Sequence, residues 1–270
     1  MCTIVLLVGA HPRHPVIVAA NRDEWHARAS HGPRLLLEET RAVGGQDAQA
    51  GGTWMGVNAA GLFAGVTNQR TWAAPVAGLR SRGEVPLGVL ASHSIDAAHA
   101  YVRELDARDY NDFNLVYGDA AGLFCAYARR DARALRIEPV RAGAHVLSND
   151  VLDAPSLPKA LRAQRQAALL AAAHDDAHAG ADEALWAGLR GLLGNHERAS
   201  REAVQAPPEG AAFTHEIAQE LDALCVHAPG YGTRSATLLA LAPGRVAHYL
   251  FAPGPPCTTP FDDHTALLAP

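Results

Sequence analysis

Residues 1–24, MCTIVLLVGAHPRHPVIVAANRDE, decide how this chain is read. Thr3–Val8 and Val16–Ala20 are apolar and rich in Val and Ile, and the Pro-containing breaker His11–Pro15 separates them. Apolar β-branched runs bounded by breakers form strands, so an antiparallel hairpin is predicted at the start of the chain. The second run gives way to four consecutive polar residues, Asn21-Arg22-Asp23-Glu24. If the two strands pair across a short loop, that polar run finishes beside Cys2.

Working outward, the same pattern recurs. Thr53–Asn58 and Leu62–Thr67 flank Ala59-Ala60-Gly61, and Asn114–Tyr117 and Leu123–Ala128 flank Gly118–Gly122. Each pair predicts a further hairpin. Arg136–Pro139 with His145–Leu147 is expected to extend the sheet, and Ser235–Leu241 with Val246–Phe251 forms a last hairpin. Helical spacing of apolar residues marks Glu84–Ser92, Ile95–Leu105, Pro158–Ala173, Ala181–Leu193 and His215–Leu224. Pro158 suits a first helical turn. Hairpins build antiparallel sheets, and helices grouped between them cover sheet faces. The predicted class is therefore α+β, a two-sheet sandwich with helices outside, in one domain over residues 1–270. A Rossmann fold would alternate strand and helix singly.

Composition narrows the partners. The chain has 270 residues, 49% hydrophobic and 19% charged, with 23 Lys+Arg against 28 Asp+Glu. That is globular, and a formal charge of -5 gives no electrostatic reason to expect nucleic acid. The N-terminal apolar stretch is far shorter than the ~20 residues a spanning helix requires, so no stable membrane insertion is expected. It also lacks the features of a secretory signal, which predicts a cytoplasmic protein. The four cysteines, Cys2, Cys125, Cys225 and Cys257, show no C-x-x-C spacing. Cys125 reads as core, and Cys225 and Cys257 as unreactive. His174 and His178 stand at i,i+4, a spacing able to hold a transition metal. They lie in an Ala/His/Asp-rich helix end and read as a solvated terminus, so no metal site is expected. Oligomeric state is not legible.

Cys2 has two readings. It is a small apolar residue opening an edge strand, or, once the initiator methionine is removed, a nucleophile carrying its own base. A free α-amine titrates near ~8 and a thiol near ~8.5, so the neutral amine can accept the thiol proton. Asn21–Glu24 likewise reads as a solvated turn or as a charged cluster in which Arg22 favours the thiolate and a carboxylate holds the α-ammonium. Asn68 and Asn149 follow strands; each is an ordinary turn residue or an amide aimed at a developing oxyanion. Arg234 precedes the last hairpin, on the surface or in a cleft.

Taken together, Cys2, Asn21–Glu24, Asn58…Gly61-Leu62…Asn68, Ser148-Asn149 and Gly232-Thr233-Arg234 resemble the NRDE family, also called the transport and Golgi organisation protein 2 family. Gly51–Gly56, Arg82-Gly83-Glu84, Phe113-Asn114-Leu115 and Pro229–Arg234 match as well, so the resemblance runs from residue 2 to about residue 241. More distantly the arrangement is similar to the cysteine branch of the N-terminal nucleophile hydrolases. That resemblance implies a four-layer αββα sandwich with Cys2 as nucleophile and Asn68 as oxyanion donor. Asn149 would orient the substrate or the amine, Arg234 would tune the site, and Arg22 and Asp23 would supply the guanidinium and the acid. Asn21, Glu24, Trp54 and Tyr231 would contact substrate. Those hydrolases place an Arg-Asn pair before their Asp, where this chain has Asn21-Arg22, so either Asp23 or Glu24 would face Cys2.

Two functions follow from the resemblance: hydrolysis of a small-molecule amide, which requires no cofactor, and carriage of haem on the same scaffold without catalysis. The 14 histidines and four cysteines supply axial ligand types for haem, but the chain carries no haem motif.

Overall fold

The computed structural model describes residues 2–174, 181–211 and 213–269. Two seven-stranded antiparallel sheets form its centre. One is a meander in chain order: β3 (Ser30–Leu37), β4 (Ala42–Asp47), β5 (Met55–Val57), β6 (Phe63–Asn68), β7 (Phe113–Asp119), β8 (Gly122–Ala128) and β9 (Arg136–Pro139). The other contains β1 (Cys2–Val8), β2 (Val16–Trp25), β10 (Gly143–Leu147), β11 (His227–Ala228), β12 (Tyr231–Ala242), β13 (Arg245–Ala252) and β14 (Asp262–Asp263). Its order is β10-β1-β2-β12-β13-β14, with β11 on the edge of β12.

Side-chain alternation along β1 and β2 explains the layering. Ile4, Leu6, Val16, Val18 and Ala20 point between the sheets and meet Val57, Phe63 and Val116 of the meander. Val5, Leu7, Ile17 and Ala19 point the other way, onto α3 (Pro158–Ala172) and α4 (Ala181–Leu193). Both faces of the hairpin are buried, which is why its strands read as continuous apolar runs rather than alternating ones. On the far face of the meander, α1 (Glu84–Leu90) and α2 (Ile95–Glu104) cover Leu62, Phe113, Leu115 and Tyr117. Each fully buried aliphatic side chain contributes roughly 1.5–3 kcal/mol, spread here over three apolar layers. The result is the four-layer αββα sandwich.

Local signals set the helix starts. Ser94 caps α2 by accepting from the Ala97 amide, Pro158 begins α3, and Thr214 accepts from the Ile217 amide ahead of α5 (His215–Glu220). No described helix is long and apolar enough to cross a membrane.

Three expectations need correction. The polar run Asn21–Glu24 is not a turn: β2 continues through it to Trp25, because β1 pairs on one side (Cys2↔Arg22, Thr3↔Asn21) and β12 on the other (Thr233↔Asp23, Gly232↔Glu24). Both backbone edges are paired as far as Arg22, and pairing with β12 carries the strand on to Trp25, so polarity does not end it. Second, β10 does not extend the sheet of β9. It crosses to pair with β1, Leu147 opposite Ile4. Third, α5 stops at Glu220, short of Leu224. Strands β3 and β4 went unanticipated, since Gly32-Pro33 interrupts the first and Gly44-Gly45 the second.

Candidate active site at the head of strand 1

Cys2 opens β1 and is half-buried. Its register partner is Arg22, so thiol and guanidinium project to the same face of the sheet. Glu24, two residues further along β2, shares that face, while Asn21 and Asp23 project toward the helices. By strand alternation Glu24 lies on the thiol's side and Asp23 on the helix side, yet Asp23 is the carboxylate that acts more strongly on the Cys2 thiol.

Arg22 is almost fully buried and its guanidinium stacks over the Trp54 ring at 4.4 Å. It also lies 3.8 Å from Glu24 and 4.0 Å from Asp47, which Arg28 clamps at 2.6 Å. Trp54, expected to touch substrate, has one face covered by Arg22 and lines the narrow void beside Cys2, not the larger cavity. Space for the indole exists because residue 45 is glycine: a Cβ there would stand 2.1 Å from the Trp54 ring. A Cβ at Gly52 would stand 2.5 Å from the Gly83 backbone, and the Thr53 amide donates to the Gly83 carbonyl at 3.0 Å. The Gly51–Gly56 and Arg82–Glu84 segments thus meet in space.

On the helix side, the Asn21 amide nitrogen donates to the carbonyls of Leu193 and Leu224, at 2.8 and 2.9 Å. Asp23 accepts from the Thr233 hydroxyl at 2.7 Å, and its backbone carbonyl accepts from the Tyr231 hydroxyl at 2.9 Å. Burial pushes the Asp23 carboxyl above the usual carboxylate range, and Lys159 opposes that rise. Burial lowers Lys159 in turn, with Asp23 and Asp222 opposing. The Lys159 ammonium donates to the Leu221 carbonyl at 3.0 Å. Burial likewise raises the Cys2 thiol; Asp23 adds to the rise and Arg22 works against it.

The two asparagines come together. Asn149 donates through Nδ2 to the Asn68 carbonyl at 2.9 Å. The Ser148 hydroxyl lies 3.3 Å from the Cys2 carbonyl and 3.3 Å from Asn149 Oδ1, and its single proton goes to one of these two acceptors at a time. Buried Asn114 fastens the same turn, donating to the Asp150 carbonyl at 3.0 Å and accepting from Arg129 at 2.7 Å. Among the described residues the Asn68 side-chain amide has no hydrogen-bond partner.

A cavity of about 710 Å³ opens at this end of the sandwich, lined in its depth by Glu24, Asn68, Arg82, Asn149, Lys159 and Tyr231. Trp25, Trp72, Val76 and Phe213 form an apolar rim. Trp25 is half-exposed and stacks on Phe213 at 6.1 Å. The volume falls in the range of small-molecule sites. Cys2 is not in this lining; it faces a narrow void with Ile4, Arg22, Trp54, Val66 and Ser235. Arg234 is exposed at a β-bulge and also outside the lining. Lys159 and Arg82, both cations at the cavity, were not singled out for roles from sequence. Their signal was only a lysine in a first helical turn after Pro158 and an Arg-Gly-Glu triplet. His174 lies near His11 and Asp182; its proposed companion His178 falls outside the described residues.

A sandwich of two antiparallel sheets between helix pairs, with a cysteine heading a central strand, has the N-terminal nucleophile hydrolase fold. Solved structures agree. Penicillin V acylase from Agrobacterium tumefaciens superimposes with a TM-score of 0.58 at 16% identity, covering 98% of this chain and 86% of that one. A mutant conjugated bile acid hydrolase from Clostridium perfringens gives 0.56 at 10% identity, covering 100% and 94%. Within that fold the sequence is more specific: the profile described as Transport and Golgi organisation 2 matches residues 1–250, and the chain belongs to that family. The human Transport and Golgi organization protein 2 homolog is 28% identical over 255 residues, and the Bos taurus protein 29% over 257, each covering 88% of both chains.

Proposed function

We propose that the protein is an N-terminal-cysteine hydrolase that cleaves a C–N amide bond in a small molecule. One observation carries this reading. Cys2 heads β1 against buried Arg22, and the Ser148 hydroxyl lies 3.3 Å from its carbonyl and 3.3 Å from Asn149 of the Asn149–Asn68 pair lining the cavity. With Met1 removed, the Cys2 amine takes the thiol proton and sulfur attacks the amide carbon. The side-chain amide of Asn68 donates to the resulting oxyanion, an interaction typically worth ~10²–10³ in rate. The amine returns the proton to the leaving nitrogen, the C–N bond breaks, and a thioester remains on Cys2. Water, deprotonated by the same amine, releases the acid and restores the thiol. Asp23 steadies the ammonium formed once the amine has taken a proton, and Arg22 favours the thiolate. The apolar rim suits a substrate with a hydrocarbon or aromatic arm beside its amide. The whole chain acts as one domain in this scheme, and Arg234 has no step in it.

The test is turnover of a panel of N-acyl amides and β-lactams by wild type and Cys2→Ala. Wild type should hydrolyse at least one class, and Cys2→Ala should be folded by circular dichroism but inactive. Full activity in that variant would overturn the mechanism. Haem carriage is the competing reading. The described cavity lining offers no histidine, cysteine or methionine as axial ligand. A saturable Soret shift at micromolar haem would favour carriage instead.

A further inference from the structure

Away from the cavity, four side chains from three separate stretches converge: His196 after α4, Cys225 and His227 around the start of β11, and Cys257 in the segment after β13. One ligand atom from each lies within 4.8 Å of the others. Cys225 and Cys257 are 3.6 Å apart at sulfur, and His227 Nε2 is 3.3 Å from Cys257 Sγ and 3.7 Å from Cys225 Sγ. A tetrahedral zinc ion with Zn–S of ~2.3 Å and Zn–N of ~2.0–2.1 Å needs S···S near ~3.8 Å and S···N near ~3.6 Å. The three measured edges fit that tetrahedron within a few tenths of an ångström. The fourth ligand is already oriented. His196 Nδ1 is 2.9 Å from the Cys225 carbonyl. A carbonyl only accepts, so Nδ1 carries the proton and Nε2 keeps its lone pair for a metal. This is the outer hydrogen bond that metal-bound histidines ordinarily make.

From this geometry we infer that His196, Cys225, His227 and Cys257 form a four-ligand site for a borderline-soft divalent cation, zinc by its donor set. All four positions are taken by protein, so the site is structural rather than catalytic. It ties the segment after β13 to the strand that supports Asp23. Val226, between the two central ligands, donates its amide to the Thr233 hydroxyl at 2.9 Å and accepts the Thr233 amide at 2.9 Å. Thr233 in turn holds Asp23. Asn21 binds the carbonyls of Leu193 and Leu224, just ahead of His196 and Cys225. The ion therefore braces the far side of the same strand that carries Arg22 and Glu24. The competing account is a Cys225–Cys257 disulfide, whose bond of ~2.05 Å would require the sulfurs to close by more than an ångström and uses neither histidine.

The test is independent of hydrolysis. Full-length protein, purified reduced, is analysed for metal content, stripped with a chelator and titrated with Co²⁺ alone. We expect about one zinc per chain, a 1:1 cobalt complex with tetrahedral d–d bands and a thiolate charge-transfer band, and a lower Tm after stripping. The exposed-ligand variants Cys257→Ser and His227→Ala should weaken cobalt binding by more than about 10-fold, a loss seen even for outer-shell changes. Cys257→Ser should also lose charge-transfer intensity. Sub-stoichiometric metal with an octahedral cobalt spectrum would overturn the assignment. So would undiminished binding in both variants, or an intact mass two hydrogens short in reductant-free protein that takes up no metal.

Discussion

Asn149 reaches across from the end of β10 to hydrogen-bond the carbonyl of Asn68, at the end of β6, over 2.9 Å. The two strands belong to opposite sheets, so this bond closes the sandwich at the end where the cavity opens and both residues line that cavity.

Asn149 is 2% exposed, so its hydrogen bond to the Asn68 carbonyl is donated from a buried side chain. Asn149→Ala should lower unfolding stability by about 1–3 kcal/mol, read as a shifted urea midpoint with unchanged m-value. Any hydrolytic activity should fall further than stability alone explains. An unshifted midpoint would show that the bond does not hold the two sheets together.

Gly45→Ala should displace the Trp54 ring and with it the stacked Arg22 guanidinium. Overpacking of this kind costs about 1–3 kcal/mol. Near-UV circular dichroism should change in the tryptophan region. Gly122→Ala, where an added Cβ meets nothing within 4 Å, serves as the mild control.

Lys159 sets the pH response of the site. Burial raises Asp23 and Lys159 holds it down. Removing the cation in Lys159→Gln lets the carboxyl rise further, so the acidic limb of a kcat/KM profile should move to higher pH. Lys159→Arg should move it less. In stability terms, native Asp23 keeps its proton above pH 3.8, where the unfolded group has lost it. Its contribution therefore declines as pH rises through that window, and the variant widens the window.

His14 supplies a second, separate pH dependence. Burial, with His11 and His248 nearby, lowers it to about 4. The unfolded residue binds its proton near pH 6.5 and the folded one does not until about pH 4. The unfolded state thus binds more protons between these values, and stability is lost as pH falls from 6.5 toward 4. Tm should decline over that interval and decline less in His14→Gln.

The layering was legible because β1 and β2 are apolar on both faces, as only strands sandwiched between two packed layers need to be. The boundary of β2 was not, because Asn21, Arg22 and Asp23 look like turn residues when taken locally. Their burial depends on partners far along the chain, Trp54, Thr233 and Leu224 among them. The same limit hid Lys159: nothing local marks a lysine as buried. Likewise the Cys225–His227–Cys257–His196 group has no sequence spacing, since its members meet only after the segment following β13 folds back. Asn68 and Asn149 were readable through resemblance, and their contact only through coordinates.

The most direct test of the central claim is the intact mass of the purified protein before and after incubation with a reactive amide or β-lactam, followed by peptide mapping. The account predicts a chain lacking Met1 that gains one acyl group, located on the peptide beginning at Cys2. A chain that retains Met1, or one whose acyl group maps to another residue, would contradict it.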